Sequence, residues 1–302
     1  MAEVSVAVVQ AGSILFDRER TVQKAADLAA DAARRNARLV LFPEAFVGGY
    51  PKGLDFGARI GSRSAEGREQ FRVYYEGAVD VPGACCDALG AIARDNSIYL
   101  VMGVIERDGG TLYCTVLFFA PDGTLLGKHR KLMPTAMERL VWGSGDGSTL
   151  PVLQTPLGRI GAVICWENYM PLLRMTMYNK GVELYCAPTV DDRETWLPSM
   201  QHIAVEGRCF VLSACQYLRR GDCPPLYKLA QSVSAGTVLI GGGSLIVNPF
   251  GKVLAGPQRS GETILTADLD MDDIVRGKYD LDVAGHYARP DVFRLAVDEA
   301  ER

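Results

Sequence analysis

The chain carries the same strand, helix, strand pattern twice. Val4 to Ala11 reads as a buried strand, the stretch from about Thr21 to Arg35 places Val22, Ala25, Ala26, Ala29 and Ala33 at helical spacing, and Leu39 to Phe42 returns as a strand. The pattern recurs as Ile160 to Cys165, a helix from about Pro171 to Lys180, and a strand from Val182 to Ala187. Two such units suggest an internally pseudo-symmetric fold. Strand pairs with turn signals fill much of the rest: Ile98 to Glu106, Thr111 to Ala120 with Pro121-Asp-Gly123, and Gly243 to Val247 with Asn248-Pro-Phe-Gly251. With a further helix at about Trp196 to Arg208, the economical architecture is α/β: two mixed β-sheets packed face to face and flanked by helices, a four-layer α-β-β-α sandwich. No Pro-, Gly- or Ser-rich linker divides residues 1–302, so a single domain is expected. Gly48 to Glu76 fits no element and reads as a long loop covering the site.

Composition narrows the function. The 48% apolar content over 302 residues is enough for a substantial core, and 32 basic residues against 36 acidic ones form no block of either sign. A nucleic-acid footprint and a polybasic membrane patch are therefore not expected, and no window approaches the roughly 20 apolar residues of a membrane helix. The N-terminal residues read directly as a strand pattern, so a targeting segment is not expected. Several of the eight cysteines (Cys85, Cys86, Cys114, Cys165, Cys186, Cys209, Cys215, Cys223) lie in apolar strand-like runs, which predicts free thiols and a cytoplasmic protein.

Cys165 ends the apolar run Arg159-Ile-Gly-Ala-Val-Ile-Cys-Trp-Glu-Asn168, where a buried strand opens into a loop. A nearby lysine and a downstream helix are expected to favour its thiolate, whereas the other buried-looking cysteines read as packing. Glu44 likewise ends the apolar segment Leu39-Val-Leu-Phe-Pro-Glu-Ala45, where partial burial raises a carboxyl pKa toward that of a general base. Among Lys128, His129, Arg130 and Lys131, one cation could stabilise charge developing on a substrate, or all four could form a solvated edge. The three histidines, His129, His202 and His286, are too scattered for a zinc motif, although a cysteine–histidine dyad through His129 or His202 stays open. Gly241-Gly-Gly243 lacks the lysine and hydroxyl of a phosphate loop. No metal and no cofactor are expected.

Together, Phe42-Pro-Glu-Ala45, Lys128-His-Arg-Lys-Leu-Met-Pro-Thr135 and Cys165-Trp-Glu-Asn168 closely resemble the three motifs of the nitrilase superfamily of carbon-nitrogen hydrolases, in the family's order. Glu44-Ala-Phe-Val-Gly-Gly-Tyr-Pro-Lys-Gly53, the continuation from Cys165 to Arg174, and Cys186-Ala-Pro-Thr-Val-Asp-Asp192 resemble the true nitrilase branch. The resemblance implies Glu44 as general base, Lys131 as cationic stabiliser, Cys165 as nucleophile, Glu138 as an assisting second glutamate and the Trp166 backbone N–H as companion donor. It implies hydrolysis of an organic nitrile by water to a carboxylic acid and ammonia, through a cysteine thioimidate and thioester. Substrate-facing candidates are Tyr50, Thr135, Trp142, Trp166, Thr189 and Met200, with the tryptophans either lining a pocket or packing in the core. Cyanide hydration or dihydration, amide hydrolysis, and a non-catalytic binding or scaffold role on the same fold are the alternatives. The resemblance also implies a homo-oligomer, expected here as a dimer or small closed assembly through the helices near Pro171–Lys180 and Trp196–Arg208, because the chain stops at Arg302 without the longer tail of extended assemblies.

Overall fold

The computed structural model describes residues 3–302. In chain order the elements are β1 (Glu3–Gln10), α1 (Arg18–Arg34), β2 (Leu39–Leu41), α2 (Ala65–Glu76), β3 (Val79–Asp80), α3 (Ala84–Asp95), β4 (Tyr99–Asp108), β5 (Thr111–Phe119), β6 (Leu125–Arg130), β7 (Val152–Thr155), β8 (Gly158–Ala162), α4 (Pro171–Asn179) and β9 (Leu184–Cys186). Then come α5 (Trp196–Gly207), β10 (Phe210–Ser213), β11 (Tyr217–Arg219), β12 (Val238–Gly241), β13 (Ser244–Val247), β14 (Val253–Gln258), β15 (Thr263–Asp270) and α6 (Asp272–Asp280).

Both repeated units form as the sequence pattern indicates. One large sheet runs β15-β1-β2-β4-β5-β6, with β3 paired to β4, a second runs β14-β13-β10-β9-β8-β7, and β11 and β12 form a separate two-stranded sheet. Each large sheet has three parallel strands at its centre, β1, β2 and β4 in one and β8, β9 and β10 in the other, with antiparallel strands at the margins; the short β3 adds a further parallel pair to β4. The pseudo-symmetry is thus one of pairing as well as of element order.

Alternation along each strand builds three apolar interiors and so four layers. Val4, Val6 and Val8 of β1 meet Ile160, Ala162, Leu184, Phe210 and Leu212 of the other sheet between the two sheets. The intervening Ala7 and Val9 face α1 and α3 through Ala25, Ala29, Leu89 and Ile92. On the far side, Tyr185, Val211 and Val247 face α4 and α5 through Met177, Trp196 and Met200. Each fully buried aliphatic side chain contributes about 1.5–3 kcal/mol, so the layering follows from the strand period.

The segment Gly48 to Glu76 departs from its expected character, because its last twelve residues form α2. Ser64 caps this helix by accepting the Gly67 N–H, and Gly67, Gln70 and Tyr74 are its buried residues. A glycine, a glutamine and a tyrosine carry the buried stripe, so apolar periodicity gives little sign of it.

Candidate active site

The three site motifs meet where strand ends of the two sheets converge. Glu44 is the third residue beyond β2, and its turn lies against β4: Phe42 N–H donates to Val101 and Val47 N–H to Gly103. A Cβ on Gly103 would come within 2.1 Å of the Pro43 carbonyl oxygen, so the close approach that seats Glu44 requires glycine there. Gln216, fully buried beyond β10, donates its amide to the Glu44 carbonyl at 2.7 Å.

Lys131 extends β6 by one residue, donating its N–H to the Cys114 carbonyl. Strand alternation sorts the four consecutive cations into two sets. Lys128 and Arg130 pair with buried Glu106 on one side, at 2.6 Å each. His129 lies 2.9 Å from Glu167, and Lys131 donates to Glu44 Oε1 at 2.7 Å and to Glu138 Oε2 at 2.9 Å, on the other. The solvated-edge alternative is overturned, because every one of these cations has a carboxylate partner.

Glu138 occupies a 3-10 turn, Ala136–Leu140, and is held by three donors: Lys131 Nζ, the Thr135 N–H at 2.6 Å and the Tyr50 hydroxyl at 2.6 Å. Cys165 opens a second 3-10 turn, Cys165–Tyr169, with φ at +50°. Ala45, beside Glu44, and Ala136, two residues before Glu138, are left-handed as well, at +51° and +48°. Such conformations cost non-glycine residues on the order of 1–3 kcal/mol, and each of the three loops carries one. Asn168 stabilises the Cys165 turn by donating to the Val163 and Cys165 carbonyls, while Tyr185 donates to its Oδ1.

The electrostatics differ from the expectation of a ready thiolate. Burial pushes the Cys165 thiol well up, the negative charge of Glu44 adds to this, and Lys131 only partly opposes them. Burial likewise raises Glu44, against the lowering effect of Lys131. Lys131 is desolvated too, but the surrounding anions outweigh that and hold it firmly protonated. Glu44 Oε2 is buried without a conventional hydrogen-bond partner, Cys114 donates its thiol to Glu44 Oε1 at 3.6 Å, and Cys165 lies near enough for its thiol to bear on the same carboxyl. A thiol and an accepting carboxylate are thus stored side by side.

Two cavities adjoin at Glu138, and the first reaches Cys165. One, of about 240 Å³, is lined by Tyr50, Lys52, Thr135, Glu138, Cys165, Trp166 and Asp191 among others. The second, of about 260 Å³, shares Tyr50, Lys52, Thr135 and Glu138 and continues to Leu54, Met137 and Trp142. Trp166 is held as a wall by its indole N–H, which donates to Asp191, and by the Arg193 guanidinium 4.4 Å from its ring centroid. Trp142 is buried, meets Tyr50 edge-on at 5.6 Å and donates to the Tyr74 hydroxyl. Thr189 donates to Cys165 Sγ at 3.2 Å. Met200 is fully buried on α5 against the second sheet and lines neither cavity. His202 and His286 lie away from the cavity around Cys165, and His129 faces Glu167 rather than the thiol, which leaves no cysteine–histidine dyad among the described residues. Among those residues no group of three or more His, Cys, Asp or Glu is placed to hold a metal ion, and no helix is long and apolar enough to cross a membrane. Sequence reasoning passed over Gln216, Asn168 and Glu167, of which only Asn168 and Glu167 carried a signal, their position within the Cys165 motif.

Residues 5–279 match the carbon-nitrogen hydrolase family, and the chain belongs to it. Within that family it falls in the nitrilase branch. It is 61% identical to a nitrilase of Bradyrhizobium diazoefficiens over 97% of this chain and 91% of that protein. It is 59% identical to an aliphatic nitrilase of Sinorhizobium fredii over 99% and 97%, and 57% identical to a bifunctional nitrilase/nitrile hydratase of Lupinus angustifolius over 98% and 86%. Among solved structures, the Caenorhabditis elegans NitFhit protein superposes with a TM-score of 0.76 at 21% identity, covering 99% of this chain and 68% of that one. A Saccharomyces cerevisiae member of branch 10 of the nitrilase superfamily gives 0.71 at 25% identity, over 94% and 96%. The two-sheet, four-layer architecture is that of the superfamily.

Proposed function

We propose that this protein hydrolyses organic nitriles to carboxylic acids and ammonia, with Cys165 as nucleophile, Glu44 as general base and Lys131 as the cation that stabilises charge on nitrogen. The observation that carries the reading is one buried ammonium shared by two glutamates beside a buried thiol. Glu44 takes the thiol proton as sulfur adds to the nitrile carbon, and that proton passes to nitrogen, giving a thioimidate. Once protonated, Glu44 holds Lys131 less tightly, so the ammonium is free to donate to the nitrogen at the moment charge develops there; the Trp166 N–H is the companion donor. Water adds to the thioimidate carbon to give a tetrahedral centre bearing OH, NH2 and sulfur. Loss of ammonia leaves a thioester, and a second water releases the acid and the thiol. Expulsion of sulfur from the tetrahedral centre gives the amide instead, an outcome consistent with the bifunctional name of the lupin relative. Glu138, anchored by Tyr50 and Thr135, keeps Lys131 aimed at the reacting carbon and nitrogen.

The test is a nitrile panel with acid, amide and ammonia all quantified, with amides and free cyanide as competing substrates. Cys165→Ala is expected to abolish turnover without loss of fold, and the parent protein under turnover is expected to carry a covalent adduct on Cys165. An adduct on another cysteine, or amides consumed faster than every nitrile, would overturn the reading. We also propose self-association through the face that bears exposed Leu172 and Met170 at the start of α4, read by light scattering on the same preparation.

A further inference from the structure

Two titratable side chains buried behind the site have no part in the chemistry above. His129 and Glu167 lie 2.9 Å apart with neither side chain exposed. His129 faces the same side of β6 as Lys131, and Glu167 belongs to the turn that begins with Cys165. The Glu167 carboxyl gathers three groups. Its Oε1 accepts the Leu132 N–H at 2.6 Å, and its Oε2 accepts the Ile164 N–H at 2.9 Å and meets His129 Nε2. Leu132 directly follows the lysine, and Ile164 directly precedes the nucleophile. One carboxyl therefore holds the backbone beside both groups, which hang from different sheets.

The protons can be counted. His129 Nδ1 lies 2.7 Å from the Thr149 carbonyl oxygen, which only accepts, so Nδ1 carries a hydrogen. One more proton sits between Nε2 and Oε2, and the pair is neutral whichever atom holds it. It therefore braces the site without adding net charge where two carboxylates already face one ammonium.

We propose that His129 and Glu167 form a clamp that fixes the separation of Lys131 from Cys165, so that both are positioning residues for hydrolysis at this site; the proposal rests on the functional reading above. Glu167→Gln sets an amide NH2 where three donors need two oxygens. His129→Gln removes the imidazole and leaves the buried carboxylate with its two backbone donors but no titratable partner.

In either variant, with the fold verified by circular dichroism melting, kcat is expected to fall about 10- to 100-fold while KM stays within about threefold, the mark of misplaced reacting groups. Alkylation of Cys165 by iodoacetamide, followed by mass spectrometry, is expected to slow in the same variants because Glu44 no longer meets the thiol correctly. Alkylation needs no nitrile, so it separates the two ideas: a parent protein inert to every nitrile, with slowed alkylation in the variants, sinks the functional reading and leaves the clamp standing. Parent-like kcat and parent-like alkylation in a folded variant overturn the clamp. Should a single variant not fold, His129→Gln combined with Glu167→Gln replaces it, because two amides can hydrogen-bond each other. The double variant is expected to fold with depressed kcat. Parent-level kcat in it, or failure to fold, would show the pair to be a stability element only.

Discussion

Cys165 is stored as a thiol because burial and the adjacent Glu44 anion disfavour sulfur's negative charge more than Lys131 favours it. On the proposed mechanism the thiolate is made only when the Cys165 proton has somewhere to go, and a desolvated Glu44 is a stronger base than a carboxylate in water. On that mechanism, the active free enzyme is the one with Glu44 ionised and Cys165 protonated. Because burial raises Glu44 above its ordinary value of 4.5, the acid limb of kcat/KM is expected above pH 4.5, with activity falling as pH drops through it. Glu44→Asp, whose shorter side chain retreats from the thiol, should lower the plateau far more than it moves the limb. A pH–rate profile across the acid range checks both, and a limb below 4.5 would mean that Lys131, not burial, dominates Glu44.

At the scale of elements, β6 divides its charges by strand period. Burial opposes ionisation of Glu106, yet hydrogen bonds from Arg130 and Lys128 more than offset this and hold its carboxyl below the ordinary range. A depressed carboxyl contributes stability that is present above the unfolded value of 4.5 and lost as pH falls through the folded one. Glu106→Gln is therefore expected to destabilise the protein by about 3 kcal/mol at pH 7, and by less as pH falls below 4.5, measured by urea unfolding at several pH values. An equal loss at all pH values would place the effect in packing. This sorting of cations was open to a reader of the sequence, since Lys128-His-Arg-Lys131 lies on a strand and alternate residues must part company. The repeated strand–helix–strand units were legible for the same reason, each having an apolar face of unbroken period. Helix α2 was not, because its buried positions are Gly67, Gln70 and Tyr74. The His129–Glu167 contact was not either: it joins residues 38 apart across two sheets, and no local pattern encodes such a meeting.

The molecule as a whole is two leaves pressed together, with Lys131 and Glu44 hung from one and Cys165 from the other. Turnover should therefore act as a caliper of the gap between the leaves. Consecutive residues of β5 offer a matched comparison, for Phe118 is buried between the sheets and Phe119 is buried under the outer helices. Phe118→Leu and Phe119→Leu should each cost on the order of 1–3 kcal/mol in unfolding free energy. Thinning the space between the leaves draws sulfur and ammonium out of register, whereas thinning the outer wall leaves both where they were. Phe118→Leu should then slow kcat at unchanged fold, and Phe119→Leu should melt earlier at parental speed.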